Sequence, residues 1–412
     1  MQTLSIEPTI QTSHNPFPGL RPFREEESHL YFGRYKQVSE VKDKLMNHRF
    51  VAVIGTSGIG KSSFIHCGLF PALRNEAQNE SGREWKIYQL RPAESPLQNL
   101  IQAIHPEALS QMSLVDQEGN LNAGLRENPQ SLVEIIKSQE SDQNFTANHL
   151  IFVDQFEELF RFKEMSDHHS EESATFVNLL IEAIKNPDVP VYVVLTMRSD
   201  FIGNCSQYPK LTNSINTSQF LIPYMTRSER RDAIVEPIKV AGGHIDDDLV
   251  TTILNDIGDS PDQLPIMQHA LMRTWDDWQK YQTRDPQMAR RHYEAIGGVK
   301  EALSVHANEA FYELDKEQQS ICKKVFQAIT EITEEGKQVR RPSQLGEVAE
   351  IVGTDINQVA RVVDHFRRAD RGLLMPPPEF PLHSSSIMDI SHESLIRIWS
   401  TLRNGWRKKP IR

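Results

Sequence analysis

"VAVIGTSGIGKSSF", running from Val51 to Phe64, decides how the rest of the chain is read. Val51, Ala52, Val53 and Ile54 form an apolar run of the kind that makes a buried strand. Gly55, Thr56, Ser57, Gly58, Ile59, Gly60, Lys61 and Ser62 then match G-x-x-x-x-G-K-[ST] in full, with a helix expected to follow. The glycines admit backbone angles that turn successive N–H groups inward, and a helix N-terminus adds its own donors, so the loop is a cradle for an anion. Lys61 is placed to reach β- and γ-phosphates, and the Ser62 hydroxyl to ligate Mg²⁺. Gly55 through Ser63 are therefore the expected nucleotide-binding residues, with a nucleoside triphosphate as the ligand. The alternative is a glycine-rich turn that matches by coincidence.

Two further strands carry matching chemistry. "LIFVDQFEELF" (Leu150–Phe160) is a buried run ending in Asp154, whose carboxylate is expected at the C-terminal edge of a sheet, where it can hold the Mg²⁺ shell. Glu157 and Glu158 follow, and one of them can orient the attacking water. The alternative is that both favour a helix N-terminus by charge alone. Gln155 stands directly after the aspartate, and an amide accepts no proton, so hydrolysis is expected to be slow or to depend on Glu157 or Glu158. "VYVVLTMRSDF" (Val191–Phe201) ends in Thr196, Arg198 and Asp200. Arg198 is a candidate sensor of the γ-phosphate; the alternative is a plain Arg198–Asp200 surface pair.

Around these lie strands expected at Arg49–Ile54, Trp85–Leu90, His149–Val153, Val189–Thr196 and Gln219–Ile222. Helical patterns separate them: Val38, Val41 and Leu45 recur at helical spacing, and Glu171–Lys185 reads as a helix. Alternating strands and helices predict an α/β P-loop domain, a mainly parallel sheet with helices on both faces. The polar stretches Asn75–Arg83 and Gln111–Asn128 read as loops. After Pro223 the strands stop. Thr226 to Glu229 has the form of a capping box, opening a helix that ends near Gly242 and Gly243. Asp246–Ile257 and Pro261–Tyr281 read as further helices. Beyond about 305 come helices at Glu317–Glu331, Pro342–Val352 and Asp355–Ala369, then two short strands and a last helix at Glu393–Trp406. The expected organisation is a disordered lead at 1–14, a nucleotide-binding domain at 15–225, an all-helical domain at 226–305 and a winged-helix domain at 306–412.

The totals agree with an ordinary globular chain. Its 412 residues predict two to four domains, at about 100–200 residues each. The net charge of -11 argues against indiscriminate binding of phosphate backbones, although Arg397–Arg412 is locally basic. Cys67, Cys205 and Cys322 are far apart, which predicts no zinc site and a reducing compartment. No signal peptide and no apolar run of about 18 residues is visible, so no membrane contact and a cytoplasmic location are expected.

"NPFPGLRPF…YFGR", "GTSGIGKSS", "DQFEELF", "TMRSDF", "LPIMQHALMRTW" and "SHESLIRIW" occur in that order between Asn15 and Trp406. Together they resemble the novel-STAND NTPases, an AAA+-like branch of the STAND class of signal-transducing P-loop ATPases. The resemblance implies an ATP/ADP-controlled switch: an ADP-held closed form, self-association with ATP, and hydrolysis as the reset. It places Phe32, Gly33 and Arg34 near the adenine and Pro265 against the base or ribose; Pro265 is otherwise a first-turn helix proline. It sets His392 against the β-phosphate of ADP; otherwise His392 is a helix-start histidine with no ligand. It implies microbial signalling or defence against phage. Most members carry sensor or effector modules; none is visible here, so separate partner chains or a truncated piece is expected. Two other readings stay open. One is a DNA-binding ATPase whose recognition helix is Asn357–Arg368 with Arg361, Arg367 and Arg368, though nucleic acid is not the favoured partner. The other is a scaffold whose nucleotide is structural.

Overall fold

The computed structural model describes residues 15–79, 83–106, 125, 128–138, 147–163, 167–258, 263–281, 283–332 and 338–405. The expected disordered lead, most of the Gln111–Asn128 loop and the basic end after 405 lie outside the described residues. The rest divides into two compact units, one made of 23–28 and 34–225, the other of 15–22, 29–33 and 226–405. Residues 15–22 and 29–33 thus join the later unit, not the nucleotide-binding domain expected at 15–225.

In the first unit, helix α1 (Tyr35–His48) leads into β1 (Phe50–Gly55). Strands β2 (Glu84–Leu90), β3 (Ala147–Val153), β4 (Val191–Arg198) and β5 (Gln219–Leu221) complete one sheet in the order β2-β3-β4-β1-β5. Every pairing is parallel. Parallel pairing sends all five C-terminal ends to one edge, where α/β sheets bind ligands. Alternate residues point to opposite faces. Phe50, Ala52, Ile54, Ile151, Val153, Val193 and Leu195 pack with the helices Pro96–Ile104, Ser131–Ser138, Asp167–Ala183 and Pro209–Thr217. Val51, Val53, Leu150, Phe152 and Val194 pack on the other side against Val41 and Leu45 of α1 and against Phe64, Leu69, Phe70 and Leu73. Each such fully buried Val, Leu, Ile or Phe side chain contributes about 1.5–3 kcal/mol.

The observed strands lie within about two residues of their expected bounds. One expectation fails: the polar run from Asn75 continues the helix Phe70–Asn79 and is not a loop there. Leu73, with no exposed surface, anchors that helix to the sheet, and nothing in the polar run stops it sooner.

The second unit begins at Thr226, whose hydroxyl accepts the Glu229 N–H (3.2 Å) while the Glu229 carboxylate accepts the Thr226 N–H (2.7 Å). This box opens helix Arg227–Val240. Helices Asp247–Ile257, Gln263–Gln279, Arg290–Ala295 and Gly298–Tyr312 follow. The boundary expected near 305 falls inside Gly298–Tyr312. The reason is packing: Leu303, Ala307 and Ala310 of this helix share a core with Val325, Phe326 and Trp399.

Helix Lys316–Ala328 ends earlier than expected, and Thr330–Ile332 turns into a strand, β6, paired antiparallel with β7 (Gln338–Arg340). Ser343–Gln344, expected as helix, is strand β8; it and β9 (Leu374–Met375) flank β10 (Ile387–Ile390). Helices Leu345–Val352 and Ile356–Arg367 lie between. The single last helix is two, Ser394–Ile398 and Ser400–Gly405, broken at fully buried Trp399. Among the described residues no helix is long and apolar enough to cross a membrane.

Candidate nucleotide site

The loop after β1 has the backbone its glycines predict. Gly58 and Gly60 have φ of 75° and 91°, in the left-handed region that side chains avoid. Gly60 caps the helix that starts at Lys61, and the first N–H groups of any helix have no acceptor within it. Lys61 Nζ donates to the loop carbonyls of Gly55 and Thr56, both at 3.0 Å. Burial lowers the pKa of Lys61, opposed by the charges of Glu157 and Asp154.

Asp154 lies just past the end of β3 and is 7% exposed. Its two carboxylate oxygens each accept from the Ser62 hydroxyl at 3.0 Å. The Thr196 hydroxyl on β4, fully buried, donates to Asp154 Oδ1 at 2.6 Å and accepts the Gln155 N–H at 3.1 Å. Arg91, at the end of β2, is 3.6 Å from Asp154 Oδ2. Glu157 is 5% exposed and accepts the Arg198 N–H at 3.3 Å. Glu158 accepts the Ala93 N–H at 3.2 Å. Burial raises both glutamates, Glu158 to about 7.

These residues fit a magnesium nucleotide. The Thr56 hydroxyl is buried without a hydrogen-bond partner among the described residues, a polar atom inside the cradle still to be satisfied. The Ser62 and Asp154 oxygens are hard donors of the kind Mg²⁺ takes, one or two from protein and the rest from phosphate and water. Among the described residues no group of three or more His, Cys, Asp or Glu is placed to hold a metal ion.

The structure brings Gly55, Thr56, Ser57, Gly58, Ile59, Gly60, Lys61, Ser62, Ser63, Asp154, Glu157, Glu158 and Arg198 to one sheet edge in the first unit. Arg34 is in the same unit, 3% exposed, and donates to the Pro223 carbonyl at 2.8 Å. Arg198 forms the pair that the sequence reading held as its alternative: the guanidinium meets both Asp200 oxygens at 3.1 and 2.8 Å.

Phe32, Gly33, Pro265 and His392 belong to the second unit. Pro265 sits in the first turn of helix Gln263–Gln279, where a missing N–H costs nothing. His392 Nδ1 accepts the Ser394 N–H at 3.2 Å and lies 2.8 Å from the Ser394 hydroxyl. Sequence reading gave no role to Thr196, Arg91 or Ala93. Thr196 was visible as a polar residue closing an apolar strand; Arg91 and Ala93 carry no local signal and are found only through the β2–β3 pairing.

Of the residues on the candidate recognition helix, Arg367 is 4% exposed and spent on Asp364 and the carbonyls of Pro376 and Pro377. Arg368 meets both oxygens of Asp370.

No curated protein matches the chain. Among solved structures, the Aeropyrum pernix ORC1 protein in complex with DNA is 12% identical, with 91% of this chain and 94% of that chain covered and a TM-score of 0.47. The Aeropyrum pernix ORC2 protein (ADPNP-ADP complexes) is 13% identical, with 90% and 93% covered and a TM-score of 0.48. Domain III of the Thermotoga maritima replication initiation protein DnaA is 10% identical, with 65% and 94% covered and a TM-score of 0.40. Likenesses this distant carry no functional argument. The profile of the family described as Novel STAND NTPase 1 matches residues 16–410, so the chain belongs to that family.

Proposed function

We propose that this NTPase is an ATP/ADP-controlled signalling switch, closed with ADP, self-associating with ATP, and reset by slow hydrolysis. The observation that carries the reading is the meeting of Ser62 with both oxygens of Asp154 beside Lys61. Phosphates would lie along Gly55–Ser63, with Lys61 and the helix N-terminus opposing their charge. Ser62 and Asp154 would hold Mg²⁺, which when bound neutralises charge on the β- and γ-phosphates. Thr196 fixes the carboxylate that takes the metal. Glu157 or Glu158 orients water, and Gln155 accepts no proton, so turnover is slow.

The switch needs a ligand that prefers one state. Moving a population from 1:99 to 99:1 takes about 5.5 kcal/mol of differential binding. A charge-assisted hydrogen bond contributes about 1.5–3 kcal/mol, so about two to four made only to the γ-phosphate suffice. In this reading the γ-phosphate competes with Asp200 for Arg198. Phe32, Gly33, Arg34 and Pro265 attend the base, and His392, on an all-helical and winged-helix arm, reads the ADP state. Signal and output come from sensor or effector domains or chains, in cytoplasmic microbial signalling or phage defence. With Arg367 buried, the DNA-binding alternative keeps Arg361 and Arg368 as the exposed arginines of its helix.

The test is particle size by light scattering with ADP, with ATP and with a non-hydrolysable ATP analogue. Larger particles with ATP and the analogue than with ADP support the switch; one size in all three sinks it.

A further inference from the structure

Glu157 and Glu158 are neighbours in sequence but leave β3 in opposite directions. β3 lies between β2 and β4. Glu157 turns to the β4 side and accepts the N–H of Arg198, the last residue of that strand. β4 in turn pairs with β1, from which the phosphate loop springs. Glu158 turns to the β2 side and accepts the N–H of Ala93, just past that strand. Gln155 stands at the fork, in the left-handed region at φ 54°. With its amide oxygen toward Arg91 Nη2 (3.0 Å) and its nitrogen toward Glu158 Oε1 (3.1 Å), it bridges the two. The buried Glu157 carboxylate is left with Lys61 as its principal cationic influence, while that of Glu158 is Arg91.

We propose that Arg91, Gln155 and Glu158 form a positioning bracket on the β2 side, and that Glu157 alone orients and deprotonates the attacking water. The inference rests on the nucleotide reading above. In the step, the water oxygen bonds to the γ-phosphorus as the bond from that phosphorus to the β–γ bridging oxygen breaks. The bridging oxygen leaves on ADP with the electron pair, and the water proton passes to the Glu157 carboxylate, then to solvent. Gln155 takes no part in the transfer; it holds the turn that aims one glutamate each way.

The test uses the full chain, with ATP binding by calorimetry and phosphate release under saturating ATP. Glu157→Gln is expected to bind ATP within about threefold of wild type while kcat falls about 100-fold or more. Glu158→Ala and Arg91→Ala should each lower kcat about tenfold with KM unchanged, and the double variant no further than the worse single, as for groups acting as one unit. Glu158→Gln, which keeps an oxygen for the Ala93 N–H, should recover part of the Glu158→Ala loss. A general loss of structure would not leave KM intact or be rescued in this way. Equal losses in Glu157→Gln and Glu158→Gln, wild-type kcat in Glu157→Gln, or ATP binding without any turnover in the wild type would each overturn the assignment. Failure of the wild type to bind ATP at all would instead overturn the nucleotide reading beneath it.

Discussion

Ser62 Oγ stands 3.0 Å from each carboxylate oxygen of Asp154, although β4 separates the strands that carry the two residues to the sheet edge. The distance is closed from both sides. Asp154 follows β3 directly, and Ser62 reaches back from the first turn of the helix after β1. Thr196, on the intervening strand, holds Asp154 Oδ1 at 2.6 Å. Three adjacent strands thus deliver three oxygen-bearing groups to one point, and parallel pairing is what sends their ends to the same edge.

The first prediction concerns binding. Lys61→Ala removes a charged donor from the cradle, and Asp154→Asn removes the charge that Mg²⁺ would meet. At about 1.5–3 kcal/mol for a charge-assisted hydrogen bond, Lys61→Ala should weaken ATP binding by about 10- to 150-fold. Asp154→Asn should leave binding in EDTA close to wild type and abolish most of the gain that Mg²⁺ gives. Calorimetric titrations with and without Mg²⁺ check both. Equal affinity of Lys61→Ala and wild type would contradict the site.

The Thr196 hydroxyl is fully buried, so its removal is felt in the fold as well. Thr196→Val keeps the shape but leaves the Gln155 N–H and Asp154 Oδ1 short of a partner. The expected cost is about 1–3 kcal/mol of stability, read as a lower urea midpoint. Mg²⁺ dependence of ATP binding should weaken too, because the carboxylate loses the bond that orients it. An unchanged midpoint would show that water or Ser62 fills the place.

Much of this arrangement was legible in the sequence because it is local. The loop pattern, the apolar runs before Asp154 and Arg198, and the Thr226 capping box each depend on residues a few positions apart. What was missed depends on pairing and packing with other segments. β6, β7 and β8 are two or three residues long, too short for any periodicity, and exist because antiparallel partners lie beside them. The helix Gly298–Tyr312 hid a boundary because its core partners, Phe326 and Trp399, come later in the chain. The opposed aims of Glu157 and Glu158 are set by which strands flank β3, and strand order is not written in the turn.

Arg367 separates packing from nucleic-acid contact. Its guanidinium ties Asp364 to the carbonyls of Pro376 and Pro377 at 2.6 to 3.1 Å while 4% exposed. Arg367→Ala is expected to cost about 2–3 kcal/mol, since the Pro376 and Pro377 carbonyls and Asp364 lose its hydrogen bonds and the core loses the packing of its stem. Any weak DNA binding should keep its salt dependence, because that slope counts phosphates neutralised and this arginine neutralises none. A gel-shift series in rising salt, run beside thermal denaturation, reads both. A variant that folds normally but binds DNA with a shallower salt slope would reverse the interpretation.

His269 and His306 give the second unit an acid-sensitive point. They lie on helices Gln263–Gln279 and Gly298–Tyr312, at 0% and 4% exposure, with His269 Nε2 2.9 Å from His306 Nδ1. One ring must donate to the other, so the accepting ring at least must be neutral. Burial pushes both pKa values far below the usual histidine range, and the nearby Arg273 opposes protonation of either ring, as Arg371 does for His306. The unfolded chain therefore binds protons that the folded chain refuses. Stability from this pair is fully present above about pH 6.5 and falls as pH drops below it, by up to about 1.4 kcal/mol per pH unit for each ring. Glu158, raised to about 7, acts in the opposite sense across the same window, since its neutral folded form loses stability as pH rises. The comparison that isolates the histidines is wild type against His269→Gln/His306→Gln, by urea midpoint from pH 7.5 to pH 5. The double variant should lose less stability than wild type on acidification; parallel curves would mean the pair stays uncharged in the unfolded chain or protonates freely in the folded one.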